Sequence, residues 1–359
     1  MKRRDYLATL GGLGVAGSAS LAGCAGLFET RSVRAPPLVE NRPAAVYVPT
    51  HTEGMAMAGM ASAGRLRMAL TYSFPHRFWL IDGRETTQVD ISGEDAVHLM
   101  VSVWDAETGM VIPASNPSLT ITKDGESIHQ NRSLWRMLSQ NMGVHFGDNL
   151  SLDGDGTYEV TVDYGPLDTR TTGVFQGAFD ERISLEFTME FAQRTLDDLP
   201  FNRLEERQGE RGAVEPMQME MVPIPRVRPA AEMPGVLRAQ GQSGDAQFVA
   251  TVLDERPDGI TGTGQYLAVS PRTPYNRYPI PNLTLDATVA QADERRYDGA
   301  LTATLSPTLD YHYGASVEGV QAGDSLTVEP LLPPQISRHE GYETAFMDMA
   351  PMELTLESA

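Results

Sequence analysis

Short alternations of apolar and polar residues recur from residue 44 onward, punctuated by Gly, Pro, Asp and Asn. A period of two places successive side chains on opposite faces of a strand. Strands are therefore expected at 44–48, 66–73, 97–104, 158–164 and 183–191, and again at 248–253, 283–289, 299–305, 325–328 and 352–356. In 97–104, Val97, Leu99, Val101 and Val103 share one face, and His98 and Met100 the other. Lys123-Asp124-Gly125-Glu126 turns a hairpin between 119–122 and 127–129. The Gly- and Ala-rich stretch 51–60 reads as a loop and 133–141 as a short helix. No long stripe of period 3.6 is present, so the expected class is all-β, built as two tandem β-sandwiches.

The duplication rests on a shared spacing. Met137-Leu138-Ser139-Gln140-Asn141-Met142-Gly143-Val144-His145-Phe146-Gly147 has a partial second copy in Tyr311-His312-Tyr313-Gly314, with His145 and His312 167 positions apart. Pro49 and Pro216, Glu53 and Glu220, Gly156 and Gly323, Pro166 and Pro333, Glu186 and Glu353, and Thr188 and Thr355 keep that spacing. The expected layout is a targeting segment at 1–24, a tether at 25–43, a first sandwich at 44–194, a linker at 195–214 and a second sandwich at 215–359.

Composition changes the picture in two ways. Asp and Glu number 48 against 28 Lys and Arg, a formal charge of −20, which argues against nucleic acid as a partner. Lys2 and Lys123 are the lone lysines, and such an acidic, lysine-poor surface suits very high salt, as in a halophilic archaeal protein. The N-terminus then sets the compartment. Arg3-Arg4-Asp5-Tyr6-Leu7 is a twin-arginine start, and an apolar run leads to Leu21-Ala22-Gly23-Cys24, which is similar to a lipobox. Cys24 is the single cysteine, so the expected product is an extracytoplasmic, cell-surface lipoprotein held to the lipid membrane through Cys24, with no internal disulfide.

The candidate chemistry is metal binding. Met55, Met57 and Met60 sit beside His51 in a Gly/Ala stretch where core packing explains methionine poorly. Met137, Met142 and His145 gather thioether and imidazole within a few residues, and His312 and His339 add imidazole in the second half. The candidate ligands are His51, Met55, Met57, Met137, Met142, His145, His312 and His339, with Glu53 or Glu340 nearby. His76 and His98, among aromatic and polar neighbours, are assigned structural roles. Met347, Met349 and Met352 are assigned to packing, with a site-facing role left open for Met347 and Met349, and Met217, Met219 and Met221 form a weaker methionine group. Thioether and imidazole together favour copper, while imidazole with carboxylate also serves iron. No thiolate remains for a blue-copper centre, and no nucleophile elbow or phosphate loop is present.

The order of 44–48, the Met-rich stretch, Phe78-Trp79, Asp105-Ala106-Glu107-Thr108-Gly109, Met137 and His145-Phe146-Gly147 resembles the FetP-like periplasmic iron-uptake family, and Arg338-His339-Glu340-Gly341-Tyr342-Glu343-Thr344 is similar to its late motif. The resemblance implies immunoglobulin-like sandwiches that bind copper, dimerise near the metal site and serve iron import. Departures accompany it. Arg67-Met68-Ala69 and Gln247-Phe248-Val249 stand where that family has His-x-Glu, and Met137 lies eight residues before His145 rather than seven. Leu305 and Thr172 replace a Met and a His in the respective halves, so neither half has a full ligand set.

The expected function is non-catalytic binding of iron or copper and its delivery to a membrane iron permease. Ligands would come from loops at the sandwich ends, in two inequivalent sites centred on His145 and on His312 with His339. A homodimer of the two-unit chain stays open. The rival readings are a structural or adhesive surface lipoprotein with vestigial sites and a metal-dependent surface redox enzyme.

Overall fold

The computed structural model describes residues 35–292 and 294–359. The twin-arginine start, the lipobox-like segment with Cys24 and the first part of the expected tether lie outside the described residues. Residues 37–359 form one compact unit. The strands before residue 230 are β1 (His51–Glu53), β2 (Ala56–Ala63), β3 (Leu66–Ser73), β4 (Phe78–Asp82), β5 (Glu85–Val89), β6 (Val97–Asp105), β7 (Ser118–Lys123), β8 (Glu126–Ser133), β9 (Trp135–Ser139), β10 (Gly143–Leu150), β11 (Gly156–Tyr164), β12 (Arg170–Thr171), β13 (Ile183–Phe191) and β14 (Phe201–Arg203). Those after it are β15 (Leu237–Ser243), β16 (Ala246–Leu253), β17 (Gln265–Arg272), β18 (Thr284–Gln291), β19 (Glu294–Ala300), β20 (Thr302–Ser306), β21 (Asp310–Val317), β22 (Ser325–Leu332), β23 (Ser337–Arg338), β24 (Met352–Thr355) and β25 (Glu357–Ser358). The fold is all-β.

Each half pairs a large sheet with a four-stranded one. The first half has β2-β3-β6-β10-β9-β23-β4-β5 and β13-β11-β7-β8, and the second has β15-β16-β17-β21-β20-β12, extended by β25 beyond β15, and β24-β22-β18-β19. Inward residues of both layers, such as Val101 and Phe146 against Ile121, Val160 and Phe187, share one buried core. Full burial of each such side chain stabilises by about 1.5–3 kcal/mol.

The halves also exchange strands. The two-residue strand β23 lies parallel to β9, Ser337 opposite Met137, and antiparallel to β4. In the mirror arrangement β12 lies parallel to β20, Arg170 opposite Thr304. A late segment of each half thus becomes part of the other's large sheet. This exchange carries His339 into the first half.

Several expectations change. The 51–60 stretch forms β1 and most of β2 rather than a loop. Its small residues pair with β3 across a bulge at Met57/Gly59. The 133–141 segment is strand β9 rather than a helix, because pairing with β10 and β23 overrides local propensity. The 44–48 segment forms only a single bridge, Tyr47 to Arg211. Strands β17 and β21 fall where no strand was expected. The 167-residue spacing holds from β6 onward but not before it. β3 and β6 are separated by the β4–β5 hairpin, whereas β16 runs to β17 through a shorter connection without strands. Pro49 with Pro216 and Glu53 with Glu220 are therefore not matched positions.

Candidate metal centre

Residues from six places converge on one face of the first large sheet. His98 lies on β6, Met137 on β9 and His145 on β10, while Glu53 comes from β1, His76 from the β3–β4 connection and His339 from just beyond β23. Register sets the shared face. His145 is opposite Met137, and Asn149 is opposite His98. The ring centres of His76 and His98 lie 4.0 Å apart, those of His76 and His339 4.6 Å, and those of His145 and His339 5.1 Å. His339 Nε2 is 3.2 Å from Met137 Sδ. One ligand atom each from His76, His98 and His339 falls within 4.8 Å of the others. Two metal–ligand bonds of about 2.0–2.3 Å span nearly that distance, so one ion can bridge them after slight closure.

The tautomers follow from the partners. His145 Nδ1 lies 3.0 Å from Gly143 O, an acceptor, so Nδ1 carries the proton. His98 Nδ1 lies 2.8 Å from Asn149 Oδ1. The amide orientation is fixed because Asn149 Nδ2 donates to His76 O at 2.9 Å. His76 Nδ1 lies 2.6 Å from Glu53 Oε1 and 3.1 Å from Phe74 O. In His98 and His145 Nε2 therefore keeps its lone pair. The Nε2 atoms of His76, His98 and His145, and Glu53 Oε2, are buried without a hydrogen-bond partner. A buried polar atom left so costs about 1–3 kcal/mol. Imidazoles whose outer nitrogen is pinned by oxygen and whose inner lone pair is free have the form of metal ligands with their supporting shell.

Burial keeps His98, His145 and His339 neutral. Burial, reinforced by neighbouring imidazoles, pushes His98 and His339 well below the usual histidine range. Burial lowers His145 to about 4, opposed by its bond to Gly143 O. Neutral imidazole is the form that binds metal.

Two glycines make the packing possible. A Cβ on Gly147 would lie 3.0 Å from both His98 Nε2 and Leu99 O. Gly341 has φ +92°, and a Cβ there would lie 2.5 Å from Gln140 Nε2 and 2.6 Å from Tyr47 O. Around Gly341 the late motif acts as a scaffold for His339. His339 N donates to Leu138 O at 3.1 Å, Gln140 Nε2 donates to Tyr47 O at 2.7 Å, and buried Arg338 donates to the carbonyls of Pro334, Tyr342 and Ala345.

Of the expected ligands, Met137, His145 and His339 meet here, joined by His76 and His98, whose roles had been assigned as structural, and by Glu53. The others stand apart. His51 stacks on Phe201 at 4.6 Å, and its Nδ1 lies 2.9 Å from Thr50 Oγ1. Met55 lines an open groove and Met142 a small cavity, while Met57 is exposed. His312 occupies on β21 the place that His145 occupies on β10, yet its Nε2 is engaged. Its Nδ1 lies 3.1 Å from Asp310 O, and Tyr266 Oη donates to Nε2 over 2.9 Å. Arg170 supports that hydroxyl, donating to Tyr266 Oη at 2.9 Å, Thr304 Oγ1 at 2.8 Å and Gly314 O at 3.2 Å. The second half thus has a guanidinium and hydroxyls where the first has imidazoles and a thioether. The expected pairing of His312 with His339 does not occur, because β23 carries His339 to the other sheet. The ligand-type groups here lie on strands and their connections inside the fold rather than on loops at the sandwich ends.

Residues 231–355 match the model of a domain of unknown function, DUF7350. No curated protein matches. Among solved structures, a copper-bound variant of FetP from uropathogenic Escherichia coli is 18% identical, covering 38% of this chain and 97% of that one, with a TM-score of 0.29. A copper-bound variant of the P19 protein from Campylobacter jejuni is 16% identical, covering 38% and 98%, with a TM-score of 0.31.

Proposed function

We propose that the chain binds one copper ion in the cluster of His76, His98, His145, His339 and Met137, with Glu53 as neighbouring carboxylate. The observation that carries this is the convergence of three buried, unpartnered Nε2 atoms whose Nδ1 atoms are each held by an oxygen. Imidazole with thioether suits copper in both oxidation states better than a hard ion. Binding is non-catalytic. The twin-arginine start and Leu21-Ala22-Gly23-Cys24 support export and lipid anchoring through Cys24. In this reading the surface-held chain hands its ion to a membrane permease.

The test is copper titration of the full chain, with the bound metal counted after desalting. The parent is expected to retain one copper in this cluster, and His312→Ala is expected to retain the same, because His312 Nε2 is already bonded to Tyr266. A parent that retains no copper would refute the function. Loss of the copper in His312→Ala would place the site in the other half.

A further inference from the structure

Asn-x-Ser/Thr, with any residue but Pro in the middle, is the acceptor motif for N-linked glycans on exported proteins. It occurs at Asn131, Asn149 and Asn282, while Asn116-Pro117-Ser118 is excluded by its proline. A glycan is bulky and hydrated, so its asparagine must stand on the surface of the folded chain. The structure separates the three. Asn149 is buried, its Oδ1 faces His98 Nδ1 and its Nδ2 donates to His76 O at 2.9 Å. Asn282 is half-buried, and its Nδ2 donates to Gln335 O at 3.0 Å. A sugar on either would break the packing around it. Asn131, Arg132 and Ser133 are all exposed.

Their strand sets the presentation. β8 is an edge strand of the four-stranded sheet β13-β11-β7-β8. Leu119 pairs with Arg132 and Ile121 with His129, so Gln130 and Asn131 together face Thr120 in a bulge. Such bulges at sheet edges re-aim a side chain. Asn131 has φ +48°, a conformation that asparagine tolerates. Its Oδ1 accepts from Ser118 Oγ at 2.9 Å, which orients the amide and leaves Nδ2 without a partner among the described residues. The bulge accounts for asparagine at 131 but makes no demand at 133, where an exposed serine with no side-chain hydrogen bond among the described residues completes the motif. The open edge also distinguishes the halves. Its counterpart β19 carries Glu294, Arg295, Arg296 and Asp298, charges of the kind that keep an edge from pairing with another chain, whereas β8 carries Glu126 and Arg132.

We propose that Asn131 is an N-glycosylation site whose donor is an oligosaccharide linked to a polyprenyl phosphate. Asn131 Nδ2 forms a bond to the anomeric carbon of the first sugar. The bond from that carbon to the phosphate oxygen breaks, the phosphate leaves with the electron pair, and one amide proton passes to solvent. Nothing is oxidised or reduced. The glycan covers the edge of β8 that charge leaves open. The inference rests on the extracytoplasmic placement of the chain and not on metal binding.

The test uses the full chain purified from the surface of cells in which it is native. Trypsin cuts after Lys123 and Arg132, which releases 124–132 with Asn131 as its lone asparagine. By mass spectrometry this peptide is expected to carry a glycan, while the peptides holding Asn149 and Asn282 keep their bare masses. Asn131→Gln and Ser133→Ala are each expected to remove the whole increment from the intact chain, with copper retention unchanged. A surface-held chain whose 124–132 peptide has only its bare mass would overturn the inference, as would a glycan on Asn149 or Asn282 instead. A chain found only inside the cells would overturn the export reading and the inference with it. Should either variant fail to fold, the native peptide masses decide alone.

Discussion

Metal-free protein is expected to lose stability steeply as pH falls from about 6.5 toward 4. Histidine in an unfolded chain titrates near 6.5. In the folded chain burial lowers His51, His145 and His312 to about 4, and His98 and His339 lie well below their usual range. Above pH 6.5 these rings are neutral in both states, and the stability is complete. Below it the unfolded chain takes up protons that the folded chain refuses, so stability falls until the folded values are reached. Each fully buried ring contributes about 1.4 kcal/mol of loss per pH unit. Several acting together approach the ~5–15 kcal/mol that holds a typical domain folded. Asp148, Glu340 and Glu343, raised by burial, oppose this at lower pH, but they are three carboxyls against five imidazoles. Thermal melts in chelator between pH 7.5 and 4.5 measure the effect, and a melting temperature unchanged from pH 7 to 5 would contradict it. The same depression bears on metal binding at about pH 6.5. Rings already neutral at that pH compete little with protons, so copper is expected to stay bound through it.

The second large effect is expected from His339→Ala. Removal of a residue that supports a ligand costs metal affinity about 10–100-fold, and removal of a ligand costs more. His339 is the contribution of the second half to the cluster, and its Nε2 faces Met137 Sδ. Its backbone bond to Leu138 and the Arg338 anchor survive the substitution, so the fold is expected to persist. Copper affinity should therefore drop by more than about 100-fold, while far-UV circular dichroism stays unchanged. A variant that binds copper as tightly as the parent would remove His339 from the site.

The strand pattern was legible wherever apolar residues alternate, as in β3, β6, β11 and β13. It failed where tertiary pairing overrides composition, as in β2 and β9. The motif positions Met137, His145 and His339 pointed toward the cluster. Their meeting was not legible, because it depends on β23 crossing between the halves, a contact between residues about 200 positions apart. His76 and His98 were hidden by aromatic and polar neighbours, and what distinguishes them is a tautomer set by Glu53, Phe74 and Asn149. His312 misled for the converse reason. It keeps the spacing of His145, but Tyr266, far from it in sequence and backed by Arg170, is bonded to its Nε2.

In the proposed function one ion is held between the halves by His145 and His339. Anomalous diffraction at the copper edge from crystals of the copper-loaded chain tests it most directly. The expected result is an anomalous peak within about 2.0–2.3 Å of imidazole nitrogens of His145 and His339. The absence of a peak there, with copper at His312 instead, would contradict it.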